Sequence, residues 1–167
     1  MPGIVGLITK LPRARAEAQL EVMLQSMRHE VSYETGTFID EGTGLYLGWV
    51  ERMESVPAGM PFTNEQSSVY LVFSGEEFPD PATARSLREA GHQFPDEGPA
   101  YLVHAYEEQT SFFKQVNGRF HGVLADRNQG IVTLFNDRYG MHRVYYHHSN
   151  DSFYFGAEAK AIPIKNY

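Results

Sequence analysis

Seven histidines, 21 acidic residues and not a single cysteine set the chemistry this 167-residue chain can offer. Without a thiol there is no thiolate nucleophile, no thiolate metal site and no disulfide. His142, His147 and His148 lie close together in the sequence, and imidazole is a common metal ligand. His147 and His148, however, are neighbours in a strand-like segment and so face opposite sides, and neither an HExxH motif nor a carboxylate triad accompanies them. The pattern predicts surface histidines and no metal site. The acidic stretches "GEEFPDP" and "DEG" lack the alternating ligand spacing of a calcium loop.

The partners are narrowed by charge. A formal charge of −7 and a pI near 5.4 disfavour nucleic acid, because neutralising phosphates requires clustered Lys and Arg. No apolar run approaches the ~20 residues of a membrane span, and no basic region with a long apolar stretch opens the chain, so the expected location is cytoplasmic and off the membrane. With 42% hydrophobic and 13% aromatic residues, the composition is that of a globular protein with many strands. The length fits one domain.

The elements that must position any site follow from periodicity. Gly3 and Gly6 bracket Ile4 and Val5, and Leu7 and Ile8 continue the run, which predicts a buried strand whose glycines admit close neighbours. From Arg13 to Arg28, Ala16, Leu20, Met23, Leu24 and Met27 recur at helical spacing. Residues 34 to 53 read as two strands around the turn "DEGTG". "VPAGMPFTNEQSS" reads as a loop and "VYLVF" (69 to 73) as a central strand. Pro81 and Gly91 bracket a short helix, a second begins near Pro99, and "SFFKQVNG" adds a helical turn. "RFHGVLAD", "GIVTLFND", "HRVYYHHS" and "DSFYFGAE" then predict a four-stranded antiparallel meander. Segregated strands and helices predict the α+β class.

Taken in order, "MPGIVGLI", "FSGEEF" (73 to 78), "FFKQVNGRFHGVLAD" (112 to 126), "NDRYGMHRVYY" (136 to 146) and "FYFGAEAKAI" (153 to 162) resemble the class II glutamine amidotransferase domain of asparagine synthetases, a family of N-terminal nucleophile hydrolases. The resemblance implies a four-layer α-β-β-α sandwich of two antiparallel sheets over residues 1 to 162, with residues 163 to 167 as the start of a linker or tail. It also implies that the first strand sits in a central sheet and presents the chain terminus as the catalytic group.

In this family the nucleophile is a cysteine directly after the initiator methionine, and Pro2 stands at that position. The thioester route of glutamine hydrolysis cannot run on proline. Removal of Met1 would expose Pro2 as a secondary amine with a pKa near the ~8 of α-amino groups, itself able to act as nucleophile or base, and the plainer reading is a neutral replacement of fixed geometry in a retired site. The Asn-Gly-Glu oxyanion motif reads Ser74-Gly75-Glu76, which keeps the backbone amide at Gly75 and replaces the side-chain amide by a hydroxyl; losing one such donor costs about 10² to 10³ in rate. The carboxylate that holds the substrate ammonium aligns with Gly98, beside Asp96 and Glu97. The arginine that binds the substrate carboxylate aligns with Glu51, and Arg52 takes its place only with a one-residue shift, which turns a strand residue to the opposite face. The resemblance therefore implies a domain degenerate at its nucleophile, without a cofactor of its own. ATP and Mg²⁺ belong to an ATP-dependent synthetase partner that such a domain would stabilise or regulate. An enzyme acting on glutamine or another small amide through Pro2 or a different nucleophile is the alternative, and a homodimer is left open.

Overall fold

The run GIVGLIT forms β1 (Gly3–Thr9), buried along nearly its whole length because apolar side chains or glycine occupy both of its faces. The computed structural model describes residues 2–52, 59–108 and 111–163. After β1 come α1 (Arg13–Met27), β2 (Tyr33–Asp40), β3 (Leu45–Arg52), β4 (Phe62–Thr63) and β5 (Val69–Glu77). Three helices follow, α2 (Pro81–Glu89), α3 (Tyr101–Glu108) and α4 (Phe112–Gln115), and then β6 (Gly118–Asp126), β7 (Ile131–Asn136), β8 (Tyr145–His148) and β9 (Ser152–Gly156). The chain divides into two compact units, one of Met1–Val56 with Arg143–Tyr167, the other of Pro57–His142.

In the first unit a five-stranded antiparallel sheet has the order β2-β3-β1-β9-β8, so the predicted opening strand is central. Gly6 makes that packing possible: a Cβ there would come 2.7 Å from the carbonyl oxygen of Tyr46 on one neighbour and 2.6 Å from the Phe155 ring on the other. Helix α1 lies on one face of this sheet. Its predicted stripe of Ala16, Leu20, Met23, Leu24 and Met27 meets Val5, Leu7, Tyr46 and Val50 in one core, each large side chain contributing about 1.5–3 kcal/mol of burial. Strand alternation sends Leu45, Leu47 and Trp49 to the opposite face.

In the second unit the sheet has the order β4-β5-β6-β7. Leu71 and Phe73 of β5 and Phe120 and Leu124 of β6 join Leu102, Ala105 and Phe112 of the helices in a second core. Helix α2 starts as the sequence predicts, with Pro81 at its first turn and the Asp80 carboxylate accepting from the Ala82 amide at 3.1 Å. The segment read as a loop over 56 to 68 contains the short β4; its residues 56 to 58, like Met53 at the end of the predicted hairpin, lie outside the described residues. Of the expected tail 163–167 only Pro163 is described.

The α+β expectation, with two antiparallel sheets, is met. The predicted meander is not. β6 and β7 pair in the second unit's sheet, whereas β8 and β9 pair in the first unit's sheet. The turn between β7 and β8 explains the difference. Asp137, 3% exposed, accepts from the amides of Tyr139, Met141 and His142 at 3.1, 3.0 and 2.8 Å, so the chain is wound around its carboxylate and is not folded into a hairpin.

Candidate functional site

In the first unit the site residues gather at one end of the sheet. Gly3 pairs with Val50, and carrying that antiparallel register one residue further sets half-buried Pro2 alongside Glu51. Glu51 follows Leu47 and Trp49 on the face turned away from α1, and the same alternation puts Arg52 on the other face, where it is exposed at the strand end opposite Tyr33. The side chain beside Pro2 on that face is thus an acid and not a guanidinium. Burial, with the facing Glu34 as a second cause, pushes the Glu51 carboxyl up to about 7, so it is largely protonated in mildly acidic solution.

In the second unit Ser74, Gly75 and Glu76 are consecutive on β5 and pair with His121, Phe120 and Arg119 of β6. Gly75 has φ +126°, and a Cβ there would stand 2.2 Å from the carbonyl oxygen of Arg119, so only glycine fits. Ser74 is buried and shares its face of the sheet with His121. Burial, with the nearby His142 as a second cause, pushes the His121 imidazole down to about 4, which keeps it neutral.

Glu76 and Gly98 meet in an open cleft of about 930 Å³ that is also lined by Glu77, Arg88, Phe94, Asp96 and Tyr101. The Arg88 guanidinium donates to Asp96 at 2.7 Å and lies 4.6 Å from the centre of the Phe94 ring. This is a surface ion pair, in which Asp96 stays exposed to solvent. Arg119 donates to Glu76 at 2.7 Å, and the Tyr101 hydroxyl donates to Glu77 at 2.6 Å. Burial raises the Glu77 carboxyl, and that hydrogen bond opposes the rise. The cleft can hold a small polar molecule; Glu76, Glu77 and Asp96 each have a partner, and Glu89 and Glu97 line it as well.

The structure thus brings Glu76 and Gly98 together, keeps Ser74 and Gly75 beside them in sequence on β5, and places Pro2 and Arg52 at one sheet end on different faces. His142 lies 5.6 Å from His121 between ring centres, whereas His147 and His148 lie on β8, stacked or tilted against Tyr154 and Phe153. Sequence reasoning missed Glu51 as a near-neutral acid, because its burial and its pairing with Glu34 depend on strand register. It also missed a group of Glu65, His92, His104 and Glu107, whose only local signal is the helical spacing of the last two.

Comparison with known proteins bears on the family and the fold. A sequence profile of the glutamine amidotransferase domain matches residues 1–166. The chain is 25% identical to glutamine-hydrolysing asparagine synthetase 1 of Bacillus subtilis (strain 168), a match covering 98% of this chain and 27% of that protein. It is 26% identical to asparagine synthetase 2 of the same organism, over 97% of this chain and 22% of that protein. The chain therefore spans about a quarter of the length of these relatives. Among solved structures, glutamine phosphoribosylpyrophosphate amidotransferase from B. subtilis superposes with a TM-score of 0.74 over 95% of this chain and 42% of that one; at 12% identity the likeness is one of fold. A shared fold and a profile match over almost every residue lead to one assignment: the chain belongs to the glutamine amidotransferase domain family, as a class II domain of asparagine-synthetase-like proteins.

Proposed function

We propose that this domain does not hydrolyse glutamine and serves instead as a structural or regulatory domain for an ATP-dependent, amide-forming synthetase partner, which would carry the ATP and Mg²⁺. The observation that carries the reading is Pro2 at the head of the central strand in a sequence without cysteine, where the family resemblance requires a thiol. Two features support it. Glu51 occupies the face on which a guanidinium would be needed for the substrate carboxylate, and Asp96, one of the two acids that precede Gly98, is paired with Arg88 at the surface. The names of the glutamine-hydrolysing asparagine synthetases that the chain resembles support an amide-forming partner.

The test is glutamate release from glutamine, measured with and without a candidate synthetase. No turnover is expected in either case, while the synthetase activity or yield should depend on the domain. Robust glutamate release that disappears in Pro2→Ala overturns the proposal in favour of catalysis by the proline amine; intact mass then has to show that Met1 is removed.

A further inference from the structure

Far in sequence from the residues discussed so far, four side chains of the second unit turn their donor atoms toward one point. Glu65 lies in the turn between β4 and β5, His92 just beyond α2, and His104 and Glu107 one turn apart on α3; one ligand atom from each lies within 4.8 Å of all the others. His104 is 2% exposed, and among the described residues its Nδ1 has no hydrogen-bond partner. A buried imidazole nitrogen left without a partner is costly, so its position needs a reason.

The spacing of the neighbours supplies one. His104 Nδ1 lies 3.4 Å from Glu107 Oε2 and 3.6 Å from Glu65 Oε2, and His92 Nδ1 lies 3.5 Å from Glu65 Oε1. These are long for hydrogen bonds. Each is close to the ligand–ligand edge of about 3.4 Å that Zn²⁺ with bonds of about 2.0–2.1 Å sets; Glu65 turns one oxygen to each imidazole, and the four ligand atoms, within 4.8 Å of one another, close up slightly to share one ion. The supporting contacts have the form expected around a metal. His92 uses its other nitrogen, Nε2, to meet Glu108 at 3.1 Å, as a metal-bound imidazole meets a supporting carboxylate. Glu107 is held through Oε1 by the Asn64 amide at 2.7 Å, which leaves Oε2 directed at His104. Asn64 is fixed in turn, its Oδ1 accepting from the amides of Ser68 and Val69 at 2.8 and 3.1 Å. Phe94 stacks on the His104 ring at 5.5 Å and walls that side with an apolar surface.

We infer that Glu65, His92, His104 and Glu107 form a binding site for one divalent transition-metal ion, with Zn²⁺ as the fitting cation. Two imidazoles with two carboxylates suit Zn²⁺ better than Mg²⁺ or Ca²⁺, which favour all-oxygen shells. Four protein ligands make a closed site, so the ion is structural: it ties the β4–β5 turn and the segment after α2 to α3. It has no part in amide chemistry, and the inference stands whether or not glutamine is hydrolysed.

The experiment uses the whole chain without an affinity tag, stripped with a chelator and titrated with ZnCl₂ in a calorimeter. One Zn²⁺ per chain is expected, with a Kd below about 10 μM, a rise in melting temperature on loading, and no heat with MgCl₂. Co²⁺ should give the intense visible absorption of a tetrahedral centre. His92→Ala and Glu107→Gln should each weaken binding at least about 100-fold and Glu108→Gln about 10-fold, while His147→Ala/His148→Ala leaves it unchanged. His104→Ala removes a buried ring and tests folding as well as binding, so the two more exposed ligands, His92 and Glu107, decide the question. Absence of stoichiometric binding, or an affinity that both His92→Ala and Glu107→Gln leave within threefold of the parent, overturns the inference.

Discussion

Glu34 and Glu51 stand directly opposite each other on β2 and β3, two carboxyl groups on the sheet face turned away from α1. Like charges facing each other across a strand pair repel, and partial burial adds to the cost of ionisation. The Glu51 carboxyl, pushed up to about 7 from an ordinary 4.5, takes up a proton on folding between those values. Stability contributed by the protonated group is complete below about pH 4.5 and is lost as the pH rises through about 7. Glu51→Gln should therefore stabilise the protein at pH 8 by about 1–2 kcal/mol, reduced for the group's contact with solvent, and the gain should vanish toward pH 4.5. Urea unfolding of both forms at several pH values checks this; a gain independent of pH would refute it.

His121 titrates with the opposite sign. Its imidazole is pushed down to about 4 from 6.5, so the unfolded chain binds the proton more readily. The stability it contributes is present above about pH 6.5 and is lost as the pH falls through about 4. His121→Gln should narrow the difference in unfolding free energy between pH 7 and pH 4.5 by about 2 kcal/mol. A His121 resonance that titrates near 6.5 in an NMR pH series would show the assignment to be wrong.

Gly75→Ala sets a methyl group against the Arg119 carbonyl and forces alanine into a left-handed backbone. The expected loss is about 3 kcal/mol or more, read as a lower denaturation midpoint with unchanged slope. A loss under about 1 kcal/mol would mean that β5 and β6 separate there without penalty.

Pro2→Cys restores a sulfur at the position that the family resemblance assigns to the nucleophile. It should not restore glutamate release, because Glu51, and not a guanidinium, stands beside residue 2 where the substrate carboxylate would have to be held. Release above the parent's background in a coupled glutamate assay would show that the pocket needs only its thiol.

The elements with short-range signals were legible in the sequence. The α1 stripe, the turn of the β2–β3 hairpin, the Pro81 start of α2 and the glycine-marked β1 each depend on residues within a few positions of one another. The allocation of β8 was not, since its YYHH pattern alternates weakly and nothing local distinguishes β9 of one sheet from β7 of the other as its neighbour. The site divides in the same way. Pro2, Ser74, Gly75, Glu76 and Gly98 were marked by motif order, whereas the acidity of Glu51 and the convergence of Glu65, His92 and His104 arise only once distant segments are packed. No short window of sequence contains them together.

The central place of β1 also sets a timetable for folding. β1 needs β9 along one edge, joining Val5 to Gly156, whereas β5, β6 and β7 lie within one continuous stretch of chain. During synthesis the continuous stretch can assemble its hairpins while the first strand waits, with one edge unsatisfied, for a mate far downstream in the chain. Slow translation or truncation before Ser152 would therefore prolong the exposure of an apolar, sticky ribbon, a hazard that follows from strand order alone.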